Sequence, residues 1–295
     1  MMNKNKTVRP SPRPSPRPSP RPSPIAGTWY SANPNELHRT INTFINQAAN
    51  PELPGEVVGL VAPHAGYAYS GAVAGHAFKT VKGRGYDSVC VISPMHQYHP
   101  QPLLTSAHSA YATPLGELPL DTANIENINK KLEALTGSEL TPIARDQEHS
   151  LEIELPFLQC ALDGDFALIP IMMRDQSRQV AKALGDALAE VLNPDTCLLV
   201  ASSDLSHFYT ETEANQLDQK VLDALQDFSP DGLFDLKQRG QGQACGLAPM
   251  AAVMWASAQH GATDVTLLKY DTSASTTGDR TSVVGYAAAA ITRPN

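Results

Sequence analysis

Three apolar runs of this chain each give way to a histidine. Val57 to Ala62 runs into Pro63-His64. The run "VCVISP" leads into Met95-His96-Gln97-Tyr98-His99, and "CLLVASS" leads into Asp204-Leu205-Ser206-His207-Phe208. Histidine is a base near neutral pH and a common metal ligand. The segment "RDQEHSLEIELPF" adds Asp146, Glu148 and His149 at the start of an expected helix, and "GQACGLAPM" puts Cys245 just before a helix beginning near Leu247. A thiolate is a soft metal ligand, and a helix N-terminus favours the thiolate over the thiol. Histidines and a thiolate arriving from separate segments suit a catalytic metal, which takes about three protein ligands and keeps one position open. A closed structural zinc site needs four ligands, usually in close CxxC or HxxxH pairs, and the sequence has none.

Taken singly, each residue also fits a plainer role. His64 can cap a turn or sit in the core, His96 and His99 can belong to an exposed loop, and His207 can cap a turn. His149 can stand at a helix start beside its acidic neighbours, and Cys245 can be a small buried residue. His38, His76, His108 and His260 read as surface or packing histidines. The joint occurrence at strand ends is what favours chemistry, because ligands of open α/β sheets bind at the carboxyl ends of the strands.

The elements that must position these residues alternate along the chain. Strands are expected at Val57–Ala62, Ser88–Ser93, Phe166–Met172, Cys197–Ser202, Val265–Tyr270 and Val283–Ile291. Helices are expected near Asn35–Ala49, Ser70–Val81, Glu148–Leu162, Ser177–Leu192, Glu211–Gln226, Asp231–Arg239 and Leu247–His260, with extended and turn structure over Leu103–Leu120. Strands separated by helices imply an α/β fold: a mostly parallel mixed sheet with helices on both faces. No internal linker stands out, so residues 25–295 read as a single domain. Residues 9–24 are "RPSP" four times over. Proline at every second position forbids helix and central strand, so residues 1–24 are expected to be a disordered tail outside the fold. The Ser/Thr-rich "TSASTTGDR", flanked by Asp271, Asp279 and Arg280, is either a pocket wall or a solvated loop.

Composition narrows the function classes. The formal charge is −8, and residues 1–24 carry six cations and no acid, so the remainder carries −14. An acidic body argues against a nucleic-acid surface. No apolar run approaches the ~18 residues of a membrane span, and the N-terminus has no apolar core of a secretory signal. Cys90, Cys160 and Cys197 sit in apolar contexts and read as buried residues rather than a disulfide framework, which fits a reducing, cytoplasmic setting. There is no GxSxG elbow, Walker loop or HExxH; "GRGYDS" and "GQGQACG" lack the glycine spacing of a dinucleotide fingerprint.

The segments "AGTWY", "APHAGYAYSG", "SPMHQ", "DQEHSLEIELPFLQ", "SSDLSHF", "CGLAP" and "VVGYAA" together resemble the Memo family, whose bacterial members are called AmmeMemoRadiSam system protein B. They span Ala26 to the C-terminus. The family is similar in fold to the class III extradiol, or LigB-like, non-haem iron dioxygenases, which implies a three-layer α/β/α sandwich. The resemblance implies metal ligation by His64, His96 and Cys245, and pocket residues His149, Asp204 and His207, with His207 as acid/base. It further implies a divalent metal, iron(II) first, with copper or zinc as competitors, and a radical SAM protein as a partner. Two readings follow: a metal-dependent redox enzyme acting on a small molecule, or a non-catalytic module binding a peptide or delivering a metal. A thiolate where those dioxygenases carry a carboxylate changes the expected redox chemistry, so ring cleavage is not part of the expectation.

Overall fold

The computed structural model describes residues 19–295. Helix α1 (Pro34–Gln47), strand β1 (Glu56–Ala62), α2 (Tyr67–Lys79) and β2 (Ser88–Pro94) open the body, followed by short strands β3 (Leu103–Ser106), β4 (Ala110–Thr113) and β5 (Gly116–Pro119). Next come α3 (Thr122–Thr136), β6 (Thr141–Ile143), a single 3-10 turn (Glu152–Glu154) and α4 (Leu155–Ala161). The second half runs β7 (Ala167–Met173), α5 (Arg178–Val191), β8 (Cys197–Ser202), β9 (Asp204–Tyr209), α6 (Glu211–Gln226), α7 (Pro230–Gln238), α8 (Leu247–Gln259), β10 (Asp264–Thr272), α9 (Ala274–Thr277) and β11 (Val283–Arg293).

The main sheet has the order β10-β11-β1-β8-β2-β7-β3-β6, with β9 also pairing to β11. Its centre, β1-β8-β2-β7, is parallel, whereas β11 and β3 pair antiparallel to β1 and β7. The central strands are near-continuous apolar runs because helices cover both faces. On one face α1, α2 and α4 pack together; on the other, α8 lies on β1, β2 and β8 beneath α5 and α7. This is the expected three-layer α/β/α sandwich. Helix α8, "LAPMAAVMWASAQ", is apolar all round and almost wholly buried, as a helix between layers must be. Helix α1 buries one stripe, Leu37, Ile41 and Ile45, and starts at Asn33, whose side chain accepts from the backbone N–H of Asn35 and Glu36.

Three sequence expectations change. The helix expected over Glu148–Leu162 is only the 3-10 turn and α4, because residues 146–151 instead wrap around the Glu148 carboxylate. Helix α3 was not anticipated; it buries Ile125, Ile128 and Leu132 between the Asp121 cap and Gly137 at φ +69°. The loop expected to carry His207 is strand β9, paired to β11 in an irregular register. Buried Asp218 of α6 fixes this strand by accepting from Ser206 N at 2.9 Å and Tyr270 OH at 2.8 Å. A Cβ on Gly285 would come within 1.9 Å of the Asp218 carboxylate, so only glycine lets β11 pass there.

The tail expectation also needs correction for residues 19–24. Arg21 pairs as backbone with Ala110 and Ala112 at 2.8 and 2.9 Å, and its side chain is fully buried. His108, buried rather than on the surface, contacts Ser19 O through Nδ1 at 2.7 Å. The local reading failed because Arg21's partners lie more than 120 residues away in sequence. Residues 1–18 of the expected tail lie outside the described residues. Among the described residues no helix is long and apolar enough to cross a membrane.

Candidate metal centre

Strands β1, β8 and β2 are parallel neighbours, so their carboxyl ends line up. His64, Asp204 and His96 each stand two residues past the end of one of them. The 146–151 turn delivers His149 to the same spot. His96 and His149 stack with ring centroids 4.7 Å apart, and His64 meets both edge-on at 5.4 and 5.5 Å. The three imidazoles each offer a nitrogen within 4.8 Å of the others. His149 in turn stacks on Trp29 at 4.2 Å.

Two of the three rings are hydrogen-bonded through Nδ1, and the third, His149, lies beside the same carboxylate as His96. His96 Nδ1 lies 2.9 Å from Glu148 Oε1, and His149 Nδ1 lies 3.3 Å from the same oxygen. Glu148 also accepts from the backbone N–H of His96, His149 and Ser150. Burial pushes its carboxyl up, but the His96 and backbone hydrogen bonds outweigh this and hold it well below the usual carboxylate range. His64 Nδ1 lies 2.8 Å from Ser202 Oγ, which also contacts Ser150 O at 2.6 Å and Glu154 Oε1 at 2.8 Å. Ser202 has one proton, and Ser150 O can only accept it. The other two contacts must then donate into the hydroxyl oxygen. Glu154 has a proton to give, since burial raises it well above the usual range. His64 is thereby assigned Nδ1–H, with the Nε2 lone pair free.

That lone pair meets Cys245 Sγ at 3.0 Å. The helix-start argument favoured a thiolate, but burial and the nearby Asp204 push the thiol up. A protonated Sγ donating to a neutral His64 Nε2 satisfies both groups. Burial, with His149 and His96 next, depresses His64, and burial pushes His149 down to about 4. Both rings are therefore neutral lone-pair donors at pH 7. Gly246, next to Cys245, is required because a Cβ there would lie 2.3 Å from Ser202 O. Gln176 Nε2 holds Cys245 O at 2.6 Å. Cys245 stands outside the mutual imidazole triad but in contact with one of its members.

A cavity of about 540 Å³ opens over this cluster, lined by Trp29, Tyr69, His64, His96, His149, Asp204, His207 and Tyr286, with Ser273 and Thr277 of the "TSASTTGDR" segment on its wall. That size fits a small-molecule site. Burial lowers His207 and raises Asp204 to about 7, the latter opposed by the backbone N–H groups of His64 and Ala65. His96 is the most exposed of the three imidazoles, and His99, half-buried on the same loop, is not among the residues that line this cavity.

The profile of the Memo-like protein family matches residues 21–290. The chain belongs to the Memo family. A MEMO1 family protein from Nitrosopumilus maritimus is 31% identical over 271 residues, covering 90% of this chain and 96% of that protein. Relatives described in the same words from Methanosarcina mazei and Methanopyrus kandleri are 35% identical over 235 residues (79% and 85% covered) and 33% over 280 residues (91% and 98%). The Memo match begins at Arg21, inside the repeat that composition alone assigned to the tail. Sequence reasoning missed five members of this Memo site that the structure brings together: Trp29, Tyr69, Tyr286, Ser202 and Glu154. Trp29 lay inside the quoted "AGTWY" and Ser202 inside "SSD", but only the fold brings them to the histidines.

Proposed function

We propose that this Memo-family protein holds a redox-active divalent metal, iron(II) first, and oxidises a small molecule in the adjoining cavity with dioxygen. The observation that carries the reading is the convergence of three imidazoles, two of them hydrogen-bonded through Nδ1 and each with a nitrogen within 4.8 Å of the others. Metal-binding histidines usually donate their other ring N–H to a carboxylate or another acceptor. Three imidazoles beside a thiol suit iron, copper or zinc better than hard cations. The donor set therefore fits the group.

When bound, the metal supplies Lewis-acid and one-electron chemistry. The chain supplies the rest. Trp29, Tyr69 and Tyr286 offer flat apolar walls, which favour a substrate with a ring or other planar apolar part. His207, neutral at pH 7, takes a proton from a substrate hydroxyl. Asp204, near its midpoint at pH 7, holds or returns a proton at its carboxylate while accepting His64 N–H at 2.8 Å.

The test is to load the purified chain anaerobically with iron(II), copper(I) or zinc, measure stoichiometry, and follow oxygen uptake with a panel of phenols and other small hydroxylated rings. One ion per chain and substrate-dependent oxygen uptake are expected with iron(II). Stoichiometric metal without turnover would favour the binding-module reading. Absence of stoichiometric metal overturns the enzyme and the metal-delivery readings and leaves only peptide binding.

A further inference from the structure

We propose that Arg21, in the last RPSP repeat, is a positioning residue for the histidine centre: its guanidinium clamps the segment whose Glu148 orients His96 and His149. The inference rests on the metal reading of those histidines. Arg21 Nη2 donates to Asp146 Oδ1 at 2.6 Å and to the carbonyl of Glu148 at 2.8 Å; Nε donates to Asp146, and Nη1 donates to Glu152 Oε2 at 2.5 Å. One planar group thus ties both ends and the middle of residues 146–152. Arginine alone has a donor fork of this geometry. Ser23 of the same repeat also donates to Glu152, so the repeat docks by two side chains on one carboxylate. Asp146 Oδ1 in turn receives Glu148 N at 3.2 Å.

Arginine, Asp146, Glu148 and Glu152 are all buried. One guanidinium stands against three carboxylates there, which favours a cation at the imidazoles beside them. Glu148 is the shared anchor of two of the three proposed ligands. Freeing the turn it sits in therefore loosens both rings at once, while His64 is held by Ser202, whose place in β8 is fixed by backbone pairing and whose hydroxyl meets the turn only at the Ser150 carbonyl.

The experiment uses the full chain and cobalt(II) as the probe, titrated by calorimetry well below each variant's unfolding midpoint. Arg21→Met is expected to weaken cobalt(II) about tenfold to a hundredfold, the range for lost outer partners of metal ligands, and Arg21→Lys by less. Ser23→Ala, which leaves Glu148 clamped, and Leu132→Ala, a core truncation in α3, lower the melting midpoint but keep affinity within about twofold. If Arg21→Met does not fold, Arg21→Lys and Asp146→Asn carry the same comparison. A folded variant of this clamp with unchanged cobalt(II) affinity overturns the proposal. If the unsubstituted protein binds no cobalt(II), the metal reading fails instead, and imidazole ¹⁵N shifts of the metal-free protein decide. Movement at His96 and His149 but not His64 upholds the clamp, and unmoved shifts sink it.

Discussion

The two sides of the histidine centre are anchored by opposite means. His96 and His149 lean on an ionised carboxylate, Glu148, inside a cluster of buried charges fixed by Arg21. His64 leans on a hydroxyl, Ser202, inside a network of neutral groups that includes the Glu154 carboxyl and the Cys245 thiol. The charged side can set ring orientation strongly but depends on its counter-charges. The neutral side has no charge to solvate, and its order comes from counting donors and acceptors. A site built from both kinds of support responds to pH from two directions.

The largest effect should follow Glu148→Ala, which removes the anchor of two rings. Metal affinity, measured by calorimetry, is expected to fall by at least about a hundredfold, and the backbone N–H groups of His96, His149 and Ser150 that point at this buried carboxylate, left without an acceptor, should lower stability by about 1–3 kcal/mol each in urea unfolding. An unchanged affinity would remove the charged side from the comparison. Ser202→Ala should act chiefly on His64, the one imidazole it touches, and cost about tenfold. Its effect should not depend on salt, because no ion pair is broken.

The role of Cys245 can be read from protons. Burial holds the Cys245 side chain toward its protonated thiol form. If its sulfur joins His64 at the metal, binding must release that proton. Calorimetry in buffers of different ionisation enthalpy should then show one proton fewer released per ion in Cys245→Ala than in the parent. Equal proton release in the two proteins would leave the three imidazoles as the donors and Cys245 as a neighbour only.

The pH dependence of the metal-free protein sharpens the contrast. The folded state lowers Glu148, so its contribution is present above the ordinary carboxylate range and lost as pH falls through its folded value. The folded state raises Asp204 to about 7, so its contribution is complete at acid pH and lost as pH rises through about 7. Thermal scans between pH 6 and 8.5 should show the parent losing a few degrees that Asp204→Asn keeps, at roughly 2–4 °C per kcal/mol for a large domain. A parallel pH profile for the two proteins would show that Asp204 does not titrate there.

The smallest effect concerns the repeat. Removing residues 1–18 should leave the melting midpoint within about 1–2 °C. Removing residues 1–24 takes Arg21 and Ser23 as well and should cost several degrees. Equal midpoints for the two truncations would show that the docked repeat contributes nothing to stability.

Much of this arrangement was legible from the sequence, for identifiable reasons. The central strands announce themselves as apolar runs, and histidines placed soon after them fall at the ligand side of a parallel sheet. Helix α3 was readable too: Ile125, Ile128 and Leu132 carry the helical spacing between an Asp cap and a Gly stop, and the signal was passed over. Strand β9 had no such signal, because its pairing to β11 is irregular and held from α6. Nor could local reasoning see that Glu148, rather than a residue beside either strand, would orient His96, across 52 residues of sequence. Composition misled at Arg21, since a low-complexity repeat says how a segment behaves alone and nothing about an ionic socket elsewhere in the chain.

That socket has a genetic consequence. The docked tetrapeptide Arg21-Pro22-Ser23-Pro24 is identical to the three units before it. Replication slippage that adds or deletes whole units therefore always leaves an identical copy abutting Ile25, and the buried guanidinium is restored whichever copy that is. The gene can drift in repeat number from two units upwards, the count that keeps both the buried guanidinium and the Ser19 carbonyl at buried His108, without touching the protein's interior. Only the loss of the last unit, or an insertion out of step with the four-residue period, reaches the histidines.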